Sequence, residues 1–265
     1  MIATDLAAHR QAHLLAALLD HRDPPWQPGE LPPLGHWLLF APDAPQSAIG
    51  TDGHPARADD DGLPRRMWAG GRLRFLAPVP LGSTVTRATE TLSTVDKQGR
   101  SGRMRFVTLR HRLAVEGVAV IEEEQDIVYR EAAAPGTSAG PPVPEAPATP
   151  PALSRTVNAD PAALFRFSAL TFNAHRIHYD RDYAMREEGY PALVVHGPYI
   201  ATLLLDHYLR RHPAAAIAGF SFRAQRPVFD TDPFTLGLTE DASGADLVAI
   251  DAAGGIAMTA RVELA

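Results

Sequence analysis

The chain of 265 residues has no cysteine. This excludes disulfides, thiolate metal sites and a cysteine nucleophile, and leaves His, Asp and Glu as the side chains able to hold a metal. It has no excess of positive charge: 25 Lys and Arg against 31 Asp and Glu give a formal net charge of −6. That is the wrong sign for a protein whose main partner is nucleic acid, because binding a phosphate backbone needs a basic face. No stretch reaches the roughly 20 apolar residues that a membrane span requires. The apolar run HLLAALL near the N-terminus is short, follows Asp5 and lacks a small-residue cleavage site. It reads as part of an amphipathic helix over about residues 4–20, and the protein reads as cytoplasmic, with no nucleic-acid or membrane partner.

Hydrophobic residues make up 45% of the chain, which rules out a disordered polymer. The segment EAAAPGTSAGPPVPEAPATPPA, residues 131–152, replaces every hydrophobic period by prolines and small residues. It cannot build a core and reads as a semi-rigid linker between two units, 1–130 and 153–265.

In the first unit a Pro- and Asp-rich loop region leads to strand-like segments, GRLRFLAP, STVTRATETLSTV, RFVTLRHRLAV and VAVIEEEQDIVYRE. In the third, Val107, Leu109, Leu113 and Val115 share one parity and Arg110 and Arg112 the other, the alternation of a half-buried strand. The second unit is read as starting with FNAHRIHYDRDYA, residues 172–184, passing to a helix and closing with four more strands. In HGPYIATLLLDHYLRRH, Gly197 is a possible N-cap, Pro198 suits the first helical position, and Arg210 and Arg211 suit the last turn. The helix between is apolar almost all round and needs burial on most sides, which antiparallel strands curling around it would provide. One helix in a curved antiparallel sheet is the hotdog architecture. The fold class expected is α+β, a double hotdog of two curved antiparallel sheets, the C-terminal one wrapped around the central apolar helix. The first unit shows no equally apolar helix beside its strands.

The site segment concentrates titratable groups just before this helix. A helix N-terminus presents N–H groups without intrahelical acceptors and about half a positive charge; aimed at a carbonyl oxygen, such a donor stabilises an enolate or tetrahedral oxyanion. Pro198 has no N–H, so Gly197 and the residues after Pro198 are the candidate donors. His178, with an ordinary pKa near 6.5, is the candidate general base. Asn173 could hold a water or orient the imidazole, but takes up no proton. His175 and His178 form an H-x-x-H pair that could ligate a metal, although no third ligand is evident, and no metal is expected. His196 caps the helix or lines a pocket. Arg176, Arg181, Arg210 and Arg211 could meet phosphates or be surface charges.

Residues NAHRIH, then YDRDY, then Ala184, and the later HGP resemble the signature of the MaoC-like enoyl-CoA hydratase family of hotdog proteins. The resemblance places His178 at the catalytic histidine and Gly197 at the oxyanion donor. Asn173 stands where that family has an aspartate, His175 where it has asparagine and Arg176 where it has proline. RRMWAGGRLRF and EEQDIVYRE resemble the N-terminal, dehydratase-like hotdog domain of a subgroup acting on branched dicarboxylic, mesaconyl-type acyl-CoAs. The resemblance implies reversible addition of water to an enoyl-CoA, with Asn173, His178 and Gly197 catalytic and His175, Arg176, Tyr179, Val195 and His196 at the substrate. It implies no cofactor beyond the coenzyme A of the substrate, and a monomer or homodimer. Arg65, Arg66, Arg72, Arg74, Arg223 and Arg226 are candidates for a distal carboxylate, and Asp180 for a substitute catalytic carboxylate. A hotdog thioesterase, or a degenerate acyl-CoA-binding protein, are the alternatives.

Overall fold

The computed structural model describes residues 1–56, 62–99, 102–131 and 145–265, so most of the expected linker lies outside the described residues. In chain order the elements are β1 (Ile2–Leu6), α1 (His9–Leu18), two 3₁₀ turns (Gly35–Leu38 and Gln46–Ala48), β2 (Arg65–Phe75), β3 (Thr84–Gly99), β4 (Gly102–Val115), β5 (Val118–Arg130), β6 (Leu153–Val157), α2 (Pro161–Thr171), a third 3₁₀ turn (Arg176–His178), α3 (Arg181–Arg186), α4 (Gly197–Leu209), β7 (Ile217–Ala224), β8 (Phe234–Asp241), β9 (Gly244–Ile250) and β10 (Ile256–Leu264).

All ten strands form one antiparallel sheet in the order β1-β3-β4-β5-β2-β7-β10-β9-β8-β6. From either edge inward the same path repeats: first strand, third, fourth, fifth, second. The two curved sheets read from the strand pattern are thus two five-stranded halves hydrogen-bonded edge to edge. The seam pairs β2 with β7 from Gly70 opposite Arg223 to Arg74 opposite Gly219. A Cβ on Gly70 would sit 2.6 Å from the Phe222 carbonyl oxygen, so this crossing needs glycine. Period-2 patterning specifies strand faces, but not which edges meet.

The second half is built around α4. From Tyr199 to Asp206 every residue is buried, against Phe220, Phe222, Phe234, Leu236, Leu247, Met258 and Val262. Ala201, Ala245 and Ala249, each 0% exposed, keep side-chain bulk low between helix and strands. The first half has no such helix. The 3₁₀ turn Gly35–Leu38 precedes β2 as α4 precedes β7, and a smaller core of Leu31, Leu39, Val79, Val85, Leu113 and Ile121 lies under the strands.

Four expectations about elements are corrected. The N-terminal helix begins only at His9: residues 2–6 pair with β3, and the Asp5 carboxylate accepts the Phe40 N–H at 2.6 Å, fixing the chain as a strand. The second half does not start with the site segment, because β6 and α2 precede it, with Asp160 as a genuine N-cap that accepts the Ala163 N–H. Helix α4 has His196, not Gly197, at its N-cap, so Gly197 is the first helical residue and Pro198 the second. At its other end the helix closes at Leu209, with Arg210 as C-cap and Arg211 beyond it.

Candidate active site

Residues 172–196 connect α2 to α4, and backbone hydrogen bonds hold them. Phe172 ends α2 in a left-handed conformation, and the Asn173 N–H returns to the Ser168 carbonyl at 2.8 Å. The Asn173 side-chain oxygen accepts the His175 N–H at 3.0 Å, a local turn that starts the 3₁₀ segment. Asp180 caps α3 by accepting the Tyr183 N–H. The Val194 N–H binds the Ile177 carbonyl and the Val195 N–H the Val228 carbonyl, which sets the chain at the mouth of α4.

This path buries His178 against the start of the helix. Its Nδ1 lies 2.7 Å from the Val194 carbonyl oxygen. A carbonyl only accepts, so Nδ1 carries the proton and Nε2 presents its lone pair. Among the described residues Nε2 has no protein partner, and it is not among the atoms fully sealed from solvent. The ring stacks on His196, centroids 3.6 Å apart and planes 21° apart, and His196 is the residue before Gly197. His178 therefore sits at the electropositive tip of α4, where the N–H groups of Gly197 and Tyr199 have no intrahelical acceptor. His196 binds the Ser168 hydroxyl through Nε2 at 2.8 Å, while its Nδ1 is buried without a partner.

Burial dominates the protonation of this group. It lowers the His178 pKa to about 4, against the opposing hydrogen bond to Val194 and with a contribution from His54. His175 is pushed down to about 2 by burial, then by His54 and His178, with Asp52 opposing and Arg66 adding. His196 falls well below 6.5 through burial, then His178 and His175. All three are neutral in the folded protein near pH 7 and become protonated on unfolding below about pH 6.5. The stability they contribute is intact above that pH and is lost as pH falls, down to about 4 for His178 and about 2 for His175. The urea midpoint should accordingly drop between pH 7 and pH 5, with up to about 1.4 kcal/mol per pH unit for each histidine, and His175→Gln should flatten the profile. A midpoint constant over that range would contradict the burial of these rings.

The site also takes residues from the first half, which sequence reasoning missed. The loop before β2 carries Asp52 and His54, with Asp52 Oδ2 2.9 Å from His54 Nδ1. The His54 ring lies 4.2 Å from that of His175, which stands edge-on to His178 at 5.3 Å. The Arg176 N–H donates to the Asp52 carbonyl and its guanidinium to the Thr51 carbonyl, clamping this loop onto the site segment. Gly53, at φ +93°, presses so close to the Ala174 carbonyl that a Cβ would lie 1.8 Å from its oxygen. The only signal in the sequence was the short D-G-H turn inside a Pro- and Asp-rich loop. One ligand atom each from Asp52, His54 and His175 lies within 4.8 Å of the others, a set that could hold a cation. The H-x-x-H pair is not that set, since His178 is not one of these three residues.

Of the other residues singled out from sequence, Val195 and His196 are buried at the helix mouth, and Tyr179 is 48% exposed. Arg176 pairs with Asp180 at 2.8 Å and lies over the Tyr183 ring, so it braces the loop. Asp180 is thereby spent on Arg176 and on its cap, and is not the spare carboxylate. Arg65, Arg72, Arg74 and Arg226 are paired with Glu188, Glu124 and Asp126, Glu122, and Asp251. Arg66 and Arg223 are exposed with no ion pair among the described residues, and Arg66 is close enough to depress the His175 pKa. A cavity of about 380 Å³ lies at the opposite end of α4, among Trp26, Leu31, Phe75, Leu209 and Ile217. Glu30 is its only ionisable residue, so it offers no comparable acid–base group.

Comparison with known proteins gives the family and the fold. The chain is 50% identical over 238 residues to a mesaconyl-C(4)-CoA hydratase of Chloroflexus aurantiacus, covering 88% of this chain and 84% of that one. A MaoC-like dehydratase from Phytophthora capsici superposes with a TM-score of 0.74 at 14% identity over 100% of this chain and 94% of that one. A Mycobacterium tuberculosis protein described as having a double hotdog fold superposes at 0.53, with 16% identity over 96% and 85% of the two chains. The fold is a double hotdog. The sequence profile of hydroxyacyl-thioester dehydratase type 2 matches residues 34–230, a span that includes the first-half loop, the site segment and α4. The chain belongs to the hydroxyacyl-thioester dehydratase type 2 family.

Proposed function

We propose that the protein reversibly adds water across the Cα=Cβ bond of an enoyl-CoA thioester, and that the acyl group is a branched dicarboxylic one of the mesaconyl type. The observation that carries this reading is the neutral His178, held by Val194 and stacked on His196, with Nε2 open at the tip of α4. Water bound at Nε2 attacks Cβ as its proton passes to the imidazole. The π electrons move onto the thioester oxygen, where the Gly197 N–H and the helix dipole hold the developing negative charge. Collapse of the enolate takes a proton from the imidazolium to Cα. An imidazolium as acidic as that of His178 in its buried setting returns this proton readily. His175, Val195 and His196 wall the acyl group, with Arg176 and Tyr179 at the rim.

Arg66 is the residue assigned to the distal carboxylate, being exposed, without an ion pair among the described residues and near enough to His175 to help lower its pKa. Coenzyme A enters only as part of the substrate, with no further cofactor. Residues 1–130 and 153–265 act as two hotdog units joined by 131–152, in a monomer or homodimer working in the cytoplasm. Among the described residues no helix is long and apolar enough to cross a membrane.

The test is a panel of enoyl-CoAs with and without a distal carboxylate. Mesaconyl-type substrates should lose the absorbance of the conjugated double bond while the thioester stays intact. Arg66→Ala should raise their KM about tenfold or more, because a charge-assisted hydrogen bond is removed, and leave that of crotonyl-CoA nearly unchanged. Release of free thiol would make the protein a thioesterase, and no turnover of any member would end the reading.

A further inference from the structure

A water poised to add to Cβ has two O–H groups to satisfy, and His178 Nε2 accepts only one. Asn173 takes up no proton, and its carbonyl oxygen is committed to the His175 N–H. Asp180 is tied to Arg176 and to the first turn of α3. The carboxylate that approaches the row of imidazoles comes from the other half of the chain. Asp52 accepts the His54 backbone N–H through Oδ1 at 3.0 Å and faces His54 Nδ1 through Oδ2 at 2.9 Å. A carboxylate only accepts, so Nδ1 bears the proton and His54 Nε2 is left with a lone pair. His54 stands against His175, and its side chain keeps 22% of its surface exposed. The loop that carries the pair is fastened to the site segment by two Arg176 hydrogen bonds and by the close seat of Gly53 on Ala174.

We infer that His54, oriented by Asp52, is the second hydrogen-bond acceptor for the attacking water in the hydration site, supplied by the N-terminal half. This rests on the hydratase reading above and deepens it. As the water oxygen bonds to Cβ, its one transferred proton passes to His178 Nε2 as above, while His54 Nε2, its Nδ1–H held by Asp52, accepts the hydrogen bond of the other O–H and steadies the water. As the enolate collapses, the proton held in the site passes to Cα, so atoms and charge balance over the cycle. Among the described residues, the charged and titratable groups near His54 are Asp52 on its own loop, His175 and His178 on the site segment, Tyr183 on α3 and Arg176 beside it, and Arg66 on β2.

The test combines kinetics with imidazole NMR on the full chain. His54→Ala, which removes the acceptor, should lower kcat about tenfold with KM within about threefold. Asp52→Asn retains an acceptor for the His54 N–H but turns an amide donor toward Nδ1, so it should invert the His54 tautomer and lower kcat about tenfold or more. Added imidazole should restore part of the activity of His54→Gly, and EDTA should change nothing. The role is overturned if His54→Ala keeps more than a third of wild-type kcat or raises KM alone. It is also overturned if nitrogen shifts place the His54 proton on Nε2 in the wild type, or if EDTA abolishes turnover and a divalent metal restores it, which would make Asp52, His54 and His175 a metal site. A wild type with the expected His54 tautomer but no activity on any enoyl-CoA would instead point to failure of the hydratase reading, and the catalytic role would fall with it.

Discussion

Replacing His178 by alanine is expected to lower the hydration rate by about 10²–10⁴-fold, the usual contribution of a positioned general acid–base group, with little change in KM. The direction of the effect follows from what the ring touches. Its Nδ1 proton is committed to the Val194 carbonyl, so proton exchange with the reacting atoms runs through Nε2 alone, and alanine leaves nothing in its place. Stacked on His196, the ring also fills space at the helix mouth, so alanine removes packing as well as chemistry. His178→Gln separates the two, since its amide can still donate to Val194 while offering no base. Both variants should be similarly slow, and Gln should melt closer to wild type. Initial rates on a mesaconyl-type substrate, followed through the conjugated double bond, decide the matter. More than about a third of wild-type rate in either variant would remove His178 from the mechanism.

How much of this site could be seen in the sequence depended on distance along the chain. His178, His175, Asn173 and Gly197 were legible because they fall within 25 residues and flank a helix whose apolar surface demands burial. The placement of α4 inside a curved sheet followed from the same surface, since Tyr199 to Asp206 leave no polar face for water. The cap was misplaced by one position because Gly and Pro both suit a helix start, and only backbone angles separate N-cap from first residue. Asp52 and His54 were not legible. Their loop is more than a hundred residues upstream, and what brings them to His175 is the backbone contact of Thr51 and Asp52 with Arg176 together with the glycine at position 53. Arg176 itself was misleading, since an arginine in a site loop suggests a phosphate contact, yet here its charge is used to hold the loop.

The repeated strand path explains why the two halves divide the work unequally. In the second half α4 fills the concave face of its strands and offers a helix tip. In the first, the place before β2 holds only 3₁₀ turns among the described residues, and His36 and Trp37 of the Gly35–Leu38 turn reach the buried Glu123 on β5 at 3.3 and 2.7 Å. Burial would raise the Glu123 pKa, but His36, His111 and the Trp37 N–H outweigh it and keep the carboxylate ionised. The first half therefore engages Glu123 locally, leaving His36 Nδ1 buried without a partner, and among its described residues no helix stands before β2 to present a terminus as α4 does. What it lends to the site is carried on the loop ahead of β2.

The second large effect is on stability rather than catalysis: Asp206→Ala should cost about 3 kcal/mol, as expected for removal of one partner from a buried ionic group. Asp206 lies on α4 with its side chain 2% exposed, and its two oxygens meet His21 at 2.5 Å, Arg155 at 3.0 Å and Arg210 at 2.8 Å. These partners come from the segment after α1, from β6 and from the end of α4, and Arg210 also donates to the Leu19 carbonyl. One carboxylate thus joins both halves of the chain to the buried helix. Without it the guanidinium groups of Arg155 and Arg210, about a quarter to a third exposed, face each other with their charge unbalanced, while the better helix propensity of alanine returns only about 0.5 kcal/mol. A urea titration should show a lower midpoint with an unchanged slope. Turnover per folded molecule should hold, because nine residues of helix place Asp206 about 14 Å along the axis from Gly197. A loss under about 1 kcal/mol would mean that water reaches these groups and that the ionic cluster behaves as a surface pair.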